Sequence, residues 1–235
     1  WVITPKLILG YELSKNQSLR LTSSYTPSSP GSSALSPNIN QVVPNIVSTG
    51  NPYLKIQKYW NNNLNYSYNN KYFDFNANLF YNYVDNPINS IYVLYNNDTQ
   101  YALTYENSQY SSRMGVQITG SVKPFGNRLL VVKANIYPTM QRVKTNTGTL
   151  LKNDYFGNNF TLSSEYKNLS VTYMFNIPVY TLSGAFLSTN ENQNHIFVGY
   201  KLNNWTLSTG IYWLGMPSRY KTKTLDESLV KYTAQ

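Results

Sequence analysis

Apolar and polar residues alternate with a period of two along most of the chain, which is the pattern of half-buried β-strands. Between Tyr72 and Tyr83 one face carries Phe73, Phe75, Ala77, Leu79, Tyr81 and Tyr83, and the other carries Asp74, Asn76, Asn78 and Asn82, with Phe80 out of step. The segment before it sets Leu64, Tyr66 and Tyr68 against Asn61, Asn63, Asn65 and Ser67, and Asn69-Asn70-Lys71 joins the two. The same alternation recurs at Ser18–Tyr25, Met114–Val122, Thr161–Tyr166, Leu169–Phe175, His195–Lys201 and Trp205–Trp213. About ten such segments are expected, each near the roughly ten residues with which a tilted strand crosses a bilayer. Helical periodicity is nowhere convincing.

The connections are of two kinds. Short polar turns are expected at Ser14–Gln17, Asn69–Lys71, Phe125–Asn127, Lys167-Asn168 and Leu202–Asn204. Long connections are expected at Pro27–Ile56, Asp85–Tyr110, Pro138–Tyr155, Ile177–Gln193 and after Leu214. Alternating short and long links imply an antiparallel meander with its tight turns at one end, as in transmembrane barrels with short periplasmic turns and longer outer loops. The expected fold is all-β: an up-and-down antiparallel meander, part of a transmembrane outer-membrane β-barrel, with residues 1–235 as one barrel region.

Composition decides which solvent the strands face. Only 12% of the residues are charged and 15% are aromatic, with 23 Tyr, whereas a soluble domain carries about 25% charged residues. In water the polar face of a sheet usually holds Lys and Glu; here it holds Asn, Ser, Thr and Gln, which suit a barrel interior while the apolar face meets lipid. Mean hydropathy is -0.41, and no window approaches the roughly 20 apolar residues of a membrane-spanning helix. Aromatic rings gather at the strand ends: Tyr68 and Tyr72 at one short turn, Tyr166 at a second, Tyr200 and Trp205 at a third; Tyr81, Tyr83, Tyr173, Phe175 and Trp213, together with the aliphatic Ile211, mark the opposite level. There an apolar ring body sits in lipid and a polar tip among headgroups.

Candidate chemistry adds little to this. The chain has no Cys and one His, His195, so thiolate metal sites are excluded, and no Asp/Glu spacing resembles a metal site. No cofactor and no enzymatic activity are expected. The net charge of +9 is scattered, and the densest cluster, Arg219, Lys221 and Lys223, lies in a stretch that reads as loop, so nucleic acid is not an expected partner. Membrane lipid is. Ligand recognition is assigned to the loops: Ile88–Asn107 reads as a hairpin turning at Asn96-Asn97-Asp98-Thr99 and displaying Tyr92, Tyr95, Tyr101 and Tyr105, rings that either stack on a ligand or hold the hairpin together. Arg219 and Lys221 are candidates for an anionic ligand or lipid phosphate.

The stretch Ser48–Ile88, with Gly50-Asn51-Pro52 and Leu54 ahead of a strand, an Asn-rich turn and an aromatic strand ending at Asp85-Asn86-Pro87-Ile88, resembles the barrel of TonB-dependent receptors in the SusC-like branch of Bacteroidetes outer-membrane proteins. That resemblance implies ligand-gated, energised uptake of an oligosaccharide, peptide or chelate. The implied partners are the TonB energy-coupling protein, acting through a plug that this chain lacks, and a SusD-like surface lipoprotein. Because such barrels close with about 22 strands, the chain is expected to be a C-terminal fragment of the barrel that stops short of its last strands. Two other readings stay open: a passive or structural outer-membrane barrel without energy coupling, and a secreted soluble β-sheet adhesin or glycan-binding module.

Overall fold

The computed structural model describes residues 3–96, 100–184, 186–218, 220–225, 230–231 and 233–234. The strands of the first half are β1 (Lys6–Ser14), β2 (Gln17–Ser28), β3 (Asn40–Val43), β4 (Ile46–Ser48), β5 (Gln57–Asn69), β6 (Phe73–Asp85), β7 (Ile88–Tyr95), β8 (Gln100–Asn107) and β9 (Tyr110–Val122), with one helical turn, α1 (Ser32–Leu35), ahead of β3. They are followed by β10 (Val131–Lys144), β11 (Leu150–Tyr166), β12 (Leu169–Asn176), β13 (Tyr180–Ser183), β14 (Phe186–Thr189), β15 (Gln193–Leu202), β16 (Trp205–Ile211), β17 (Thr222–Thr224) and β18 (Thr233–Ala234).

Ten of these strands form one sheet in the order β1-β2-β5-β6-β9-β10-β11-β12-β15-β16, and every pairing in it is antiparallel. Its register keeps like with like. Leu9, Leu21, Leu64, Leu79 and Val116 form one row across five strands. Ser18, Ser67, Asn76, Thr119, Asn135 and Asn159 form a row on the other face across six. A one-residue slip between any two strands would reverse the faces, so the alternation itself fixes the register.

The two faces are satisfied differently. On the polar face the side chains bond to one another: Ser18 Oγ to Ser67 Oγ at 2.7 Å, Asn65 and Asn76 reciprocally at 3.0 and 3.2 Å, and Thr119 Oγ1 to Asn135 Oδ1 at 3.0 Å. The apolar face carries Leu9, Leu64, Leu79, Leu162, Leu207 and Ile211, all exposed, and exposed apolar side chains gathered on one face mark a surface that meets a membrane or a partner. Within the sheet β1 and β16 are the edges, and no described strand joins them.

The tight links Lys167-Asn168 and Asn203-Asn204 each place their first residue in the left-handed region, with φ of 52° and 51°, which Asn tolerates well and Lys less so. Two expectations need correction. The link around Phe125–Asn127 is longer than a tight turn, running from 123 to 130. The stretch 138–155 is not a long connection: β10 and β11 stay paired from Val131–Ser163 to Lys144–Leu150, leaving only 145–149 as the turn. Pro138 signalled a strand break because it cannot donate to a ladder, yet it pairs with Phe156 and the ladder to β9 steps past it.

The remaining strands build two four-stranded sheets from the long links, β3-β4-β8-β7 and β13-β14-β17-β18. The hairpin expected at Ile88–Asn107 is β7–β8; its turn residues Asn97, Asp98 and Thr99 lie outside the described residues, as does Arg219.

Candidate functional site

All the long links leave one end of the sheet, where they pack onto one another, and the link from β12 to β15 folds back over the polar face. Gln141, on the polar face of β10, receives the Leu182 N–H at 3.0 Å and donates to the Leu182 carbonyl at 2.7 Å, so one amide replaces a missing strand neighbour. Asn153 on β11 donates to the Tyr180 carbonyl at 2.9 Å. These contacts lay β13 across the inside of β10 and β11.

The first link is clamped by the Gly-Asn-Pro element. Gly50 N–H donates to the Ser36 carbonyl at 2.8 Å and Asn51 N–H to the Ala34 carbonyl at 2.7 Å. A Cβ on Gly50 would lie 2.4 Å from the Ser36 carbonyl oxygen, so only glycine fits against α1. Asn51 Nδ2 then donates to the Tyr105 carbonyl at 3.0 Å, while its Oδ1 accepts the Tyr53 N–H at 3.0 Å. β4 pairs in parallel with β8, which brings Val47 and Ala102 together at 3% and 1% exposure. Gly184, with φ of +58°, packs its Cα against the Ser90 backbone of β7, and Phe186 meets Tyr92 edge-on at 5.9 Å between centroids.

Three clefts open between these links. The first, about 400 Å³, lies between β7, the β10–β11 tip, Gly184 and Leu225, with Ile91, Val93, Val143 and Leu151 as its apolar wall. The hydroxyls of Thr145 and Thr147 bond at 2.9 Å at its rim, and Glu106 is its one acidic residue among the lining residues. Burial pushes the Glu106 carboxyl above its usual range. The second cleft, about 380 Å³, is lined by Tyr105, Leu103, Gly50 and neutral Ser, Thr and Asn side chains. The third, about 420 Å³, includes Lys221, Tyr180 and Met216.

The sequence-predicted site residues are therefore dispersed. Tyr92 borders the first cleft and Tyr105 the second. Tyr101 lies on the same hairpin face as both and pairs with Ile46, while Tyr95 is on the opposite face. Lys221 lines the third cleft and extends the β14 ladder through Thr189, and Lys223 Nζ sits 5.3 Å from the Tyr180 ring centre. At the short-turn end, Tyr68, Tyr166, Tyr200 and Trp205 all fall on the apolar face. Tyr72 is exposed in its turn, with Lys71 Nζ 5.5 Å from the ring centre. Trp213 lies just beyond β16 at the loop end, where its indole N–H donates to Glu191 Oε1 at 3.0 Å. That carboxylate also accepts from Ser218 at 2.9 Å, and hydrogen bonds from Tyr220, Ser218 and Trp213 hold it below the ordinary range. His195 is buried on the polar face and its Nδ1 accepts the Trp213 N–H at 3.1 Å.

Sequence patterns missed a cluster on the polar face of β6, β9, β10 and β11. The Arg113 guanidinium lies 5.6 Å from the Phe80 ring centre and 5.9 Å from that of Tyr155, and Tyr137 meets Tyr155 edge-on at 6.5 Å. Phe80 breaking the alternation was the available signal. Glu106 gave none, being one polar residue in an alternating strand.

The sequence profile described as the outer membrane protein beta-barrel family matches residues 1–211. No curated protein sequence matches the chain. Among solved structures, the siderophore receptor PirA from Pseudomonas aeruginosa is similar at a TM-score of 0.68 and 14% identity over 89% of this chain and 38% of that one. The ferric enterobactin receptor PfeA from Pseudomonas aeruginosa, as its Q482A mutant with enterobactin, is similar at 0.62 and 16% over 89% and 34%. The copper transporter OprC is similar at 0.65 and 14% over 87% and 32%. The chain spans about a third of the length of each.

Proposed function

Because the chain belongs to the outer membrane protein beta-barrel family, we propose that it is part of the wall and mouth of an energised transporter, which admits a nutrient held by the loops. The observation that carries this reading is the inward fold of the link from β12 to β15: Gln141 and Asn153 hold β13 across the polar face. A gated receptor needs a ligand-receiving surface above its lumen, and a loop laid across the inside supplies one; a passive pore uses the same device to set its width, so dependence on the proton gradient is what separates the two. Neutral amides and hydroxyls lining the wall give a lumen in which a plug or a polar solute meets hydrogen-bond partners without strong charge. The exposed edges β1 and β16 require further strands for closure, since an open edge in hydrocarbon leaves backbone groups unpaired. Energy comes by coupling to TonB through a plug, the branch is SusC-like, and a SusD-like lipoprotein is the surface partner. The cargo is an oligosaccharide, a peptide or a chelate; the receptors and the transporter that share this fold handle siderophores and copper by their names, which supports the chelate.

The test is uptake by cells carrying the full-length gene and by a deletion strain, on a panel of labelled oligosaccharides, peptides and ferric chelates, with and without a protonophore. Gene-dependent uptake that stops when the proton gradient collapses supports the proposal. Gene-dependent flux indifferent to the gradient overturns it in favour of a passive barrel.

A further inference from the structure

We infer that the cleft beside Glu106 is a binding site for a protonated amine carried on an apolar body. This deepens the transport reading above, since it names the ligand chemistry of one part of the proposed mouth. Ile91, Val93, Val143 and Leu151 give the cleft walls that favour an apolar body. Glu106 is the only charged side chain among the described lining residues, and neither a hydrogen bond nor an ion pair ties it to another residue there.

A partly desolvated carboxylate with no countercharge is a poor feature for packing alone, because its lost hydration is not offset. An arriving ammonium offsets it with a charge-assisted hydrogen bond, which is stronger than a neutral one. An anionic group entering the same cleft meets like charge, with no Lys or Arg among the described lining residues to compensate. Thr145 Oγ1 is taken up by Thr147 and by the Thr149 N–H and carbonyl, so the neutral acceptors for the remaining ammonium protons are the Thr147 hydroxyl and the side-chain oxygen of Asn89, whose nitrogen donates to Ser108 Oγ at 2.8 Å. The preference is local: the chain as a whole carries +9, so its long-range field favours anions, and only the cleft's own chemistry selects a cation.

The test uses the full-length protein in detergent micelles with three probes of matched size: 2-phenylethylamine, 2-phenylethanol and 3-phenylpropionate, titrated by calorimetry and by saturation-transfer NMR in neutral to mildly alkaline buffer. The alcohol reports apolar binding and partition into the micelle. The amine is expected to bind about tenfold or more tightly than either other probe, the range of one charge-assisted hydrogen bond. Glu106→Gln is expected to remove that advantage and leave the alcohol unchanged, while heat-modifiable electrophoretic mobility confirms that the variant folds. Equal binding of amine and alcohol, tightest binding of the carboxylate, or amine affinity undiminished in Glu106→Gln overturns the inference. Binding is read without a proton gradient, so a protein that binds the amine but imports nothing overturns the transport reading and leaves this one standing.

Discussion

Replacing Leu79 by Arg, and separately its neighbour Asn78 by Arg, tests which face of the sheet meets lipid. Leu79 is the seventh of the thirteen residues of β6 and pairs with Leu64 on one side and Val116 on the other. Six residues at about 3.4 Å each along a strand tilted by about 45° put it roughly 15 Å from either strand end, near the midplane of an apolar band about 25 Å tall. Arginine at that depth on a lipid-facing position costs about 2–4 kcal/mol. Asn78 lies one residue away on the polar face, where its amide makes only a long 3.4 Å contact to Asn63, so Asn78→Arg is expected to shift stability by no more than about 0.5 kcal/mol. The assay is urea unfolding of the full-length protein reconstituted in lipid vesicles, followed by tryptophan fluorescence. If Asn78→Arg costs as much as Leu79→Arg, or more, the two faces have been assigned to the wrong solvents.

Other perturbations probe the loops and the inner wall. Gly157→Ala places a Cβ 1.9 Å from the Tyr137 ring and is expected to cost about 1–3 kcal/mol by overpacking; in a Tyr137→Ala background the same Gly157→Ala should be nearly silent, and additive costs in the same urea assay would refute the contact. Gly50→Ala, whose Cβ meets backbone rather than a movable side chain, is expected to speed hydrogen exchange of the β8 amides more than Asn51→Ala does, although Asn51 bonds β8 directly. Because burial raises the Glu106 pKa, the folded hairpin binds that proton more tightly than the unfolded chain does. Its stability is greatest below the ordinary carboxylate range and falls as pH rises through the folded-state value. Glu106→Gln should remove this fall, read as hairpin opening by hydrogen exchange corrected for intrinsic rate, and an unchanged pH profile in the variant would refute it.

Most of the large sheet was legible in the sequence because its cause is local. A residue's neighbour two positions away predicts its own face, so Phe73 to Tyr83 announce a strand without knowledge of what they pair with. Apart from the β7–β8 hairpin, whose partners are neighbours in sequence, the small sheets were not legible, because their pairings join distant segments through backbone bonds that leave no periodic trace: Val47 meets Ala102 in parallel register, and Phe186 pairs with Thr224. The candidate site inherits this opacity. Gln141 grips Leu182, 41 residues on, and nothing in either segment marks the other. Clustered tyrosines drew attention to Tyr92, Tyr95, Tyr101 and Tyr105, yet the chemically distinctive member of that hairpin is Glu106, whose importance comes from the cleft wall that Val143 and Leu151 bring to it.

One inner-wall feature shows where the boundary of legibility lies. Three rings on the polar face stand directly opposite a glycine: Phe80 opposite Gly115, Tyr137 opposite Gly157 and Phe197 opposite Gly210. In each case a Cβ on the glycine would fall inside van der Waals contact with the ring, so the ring lies flat over the neighbouring strand where any other residue would stand. This removes the glycine's exposed backbone from water and gives a large side chain room on a crowded face. Phe197 and Gly210 are joined by a two-residue turn, so the hairpin mirror about Asn203-Asn204 pairs them from sequence alone. Tyr137 and Gly157 follow the same mirror, but only once the turn is placed at 145–149 instead of across 138–155. Phe80 and Gly115 are separated by the β7–β8 hairpin, and no turn length relates them. A ring out of step with its strand is thus a signal of an inner-wall contact, and the length of the intervening link decides whether its partner can be named before the structure is known.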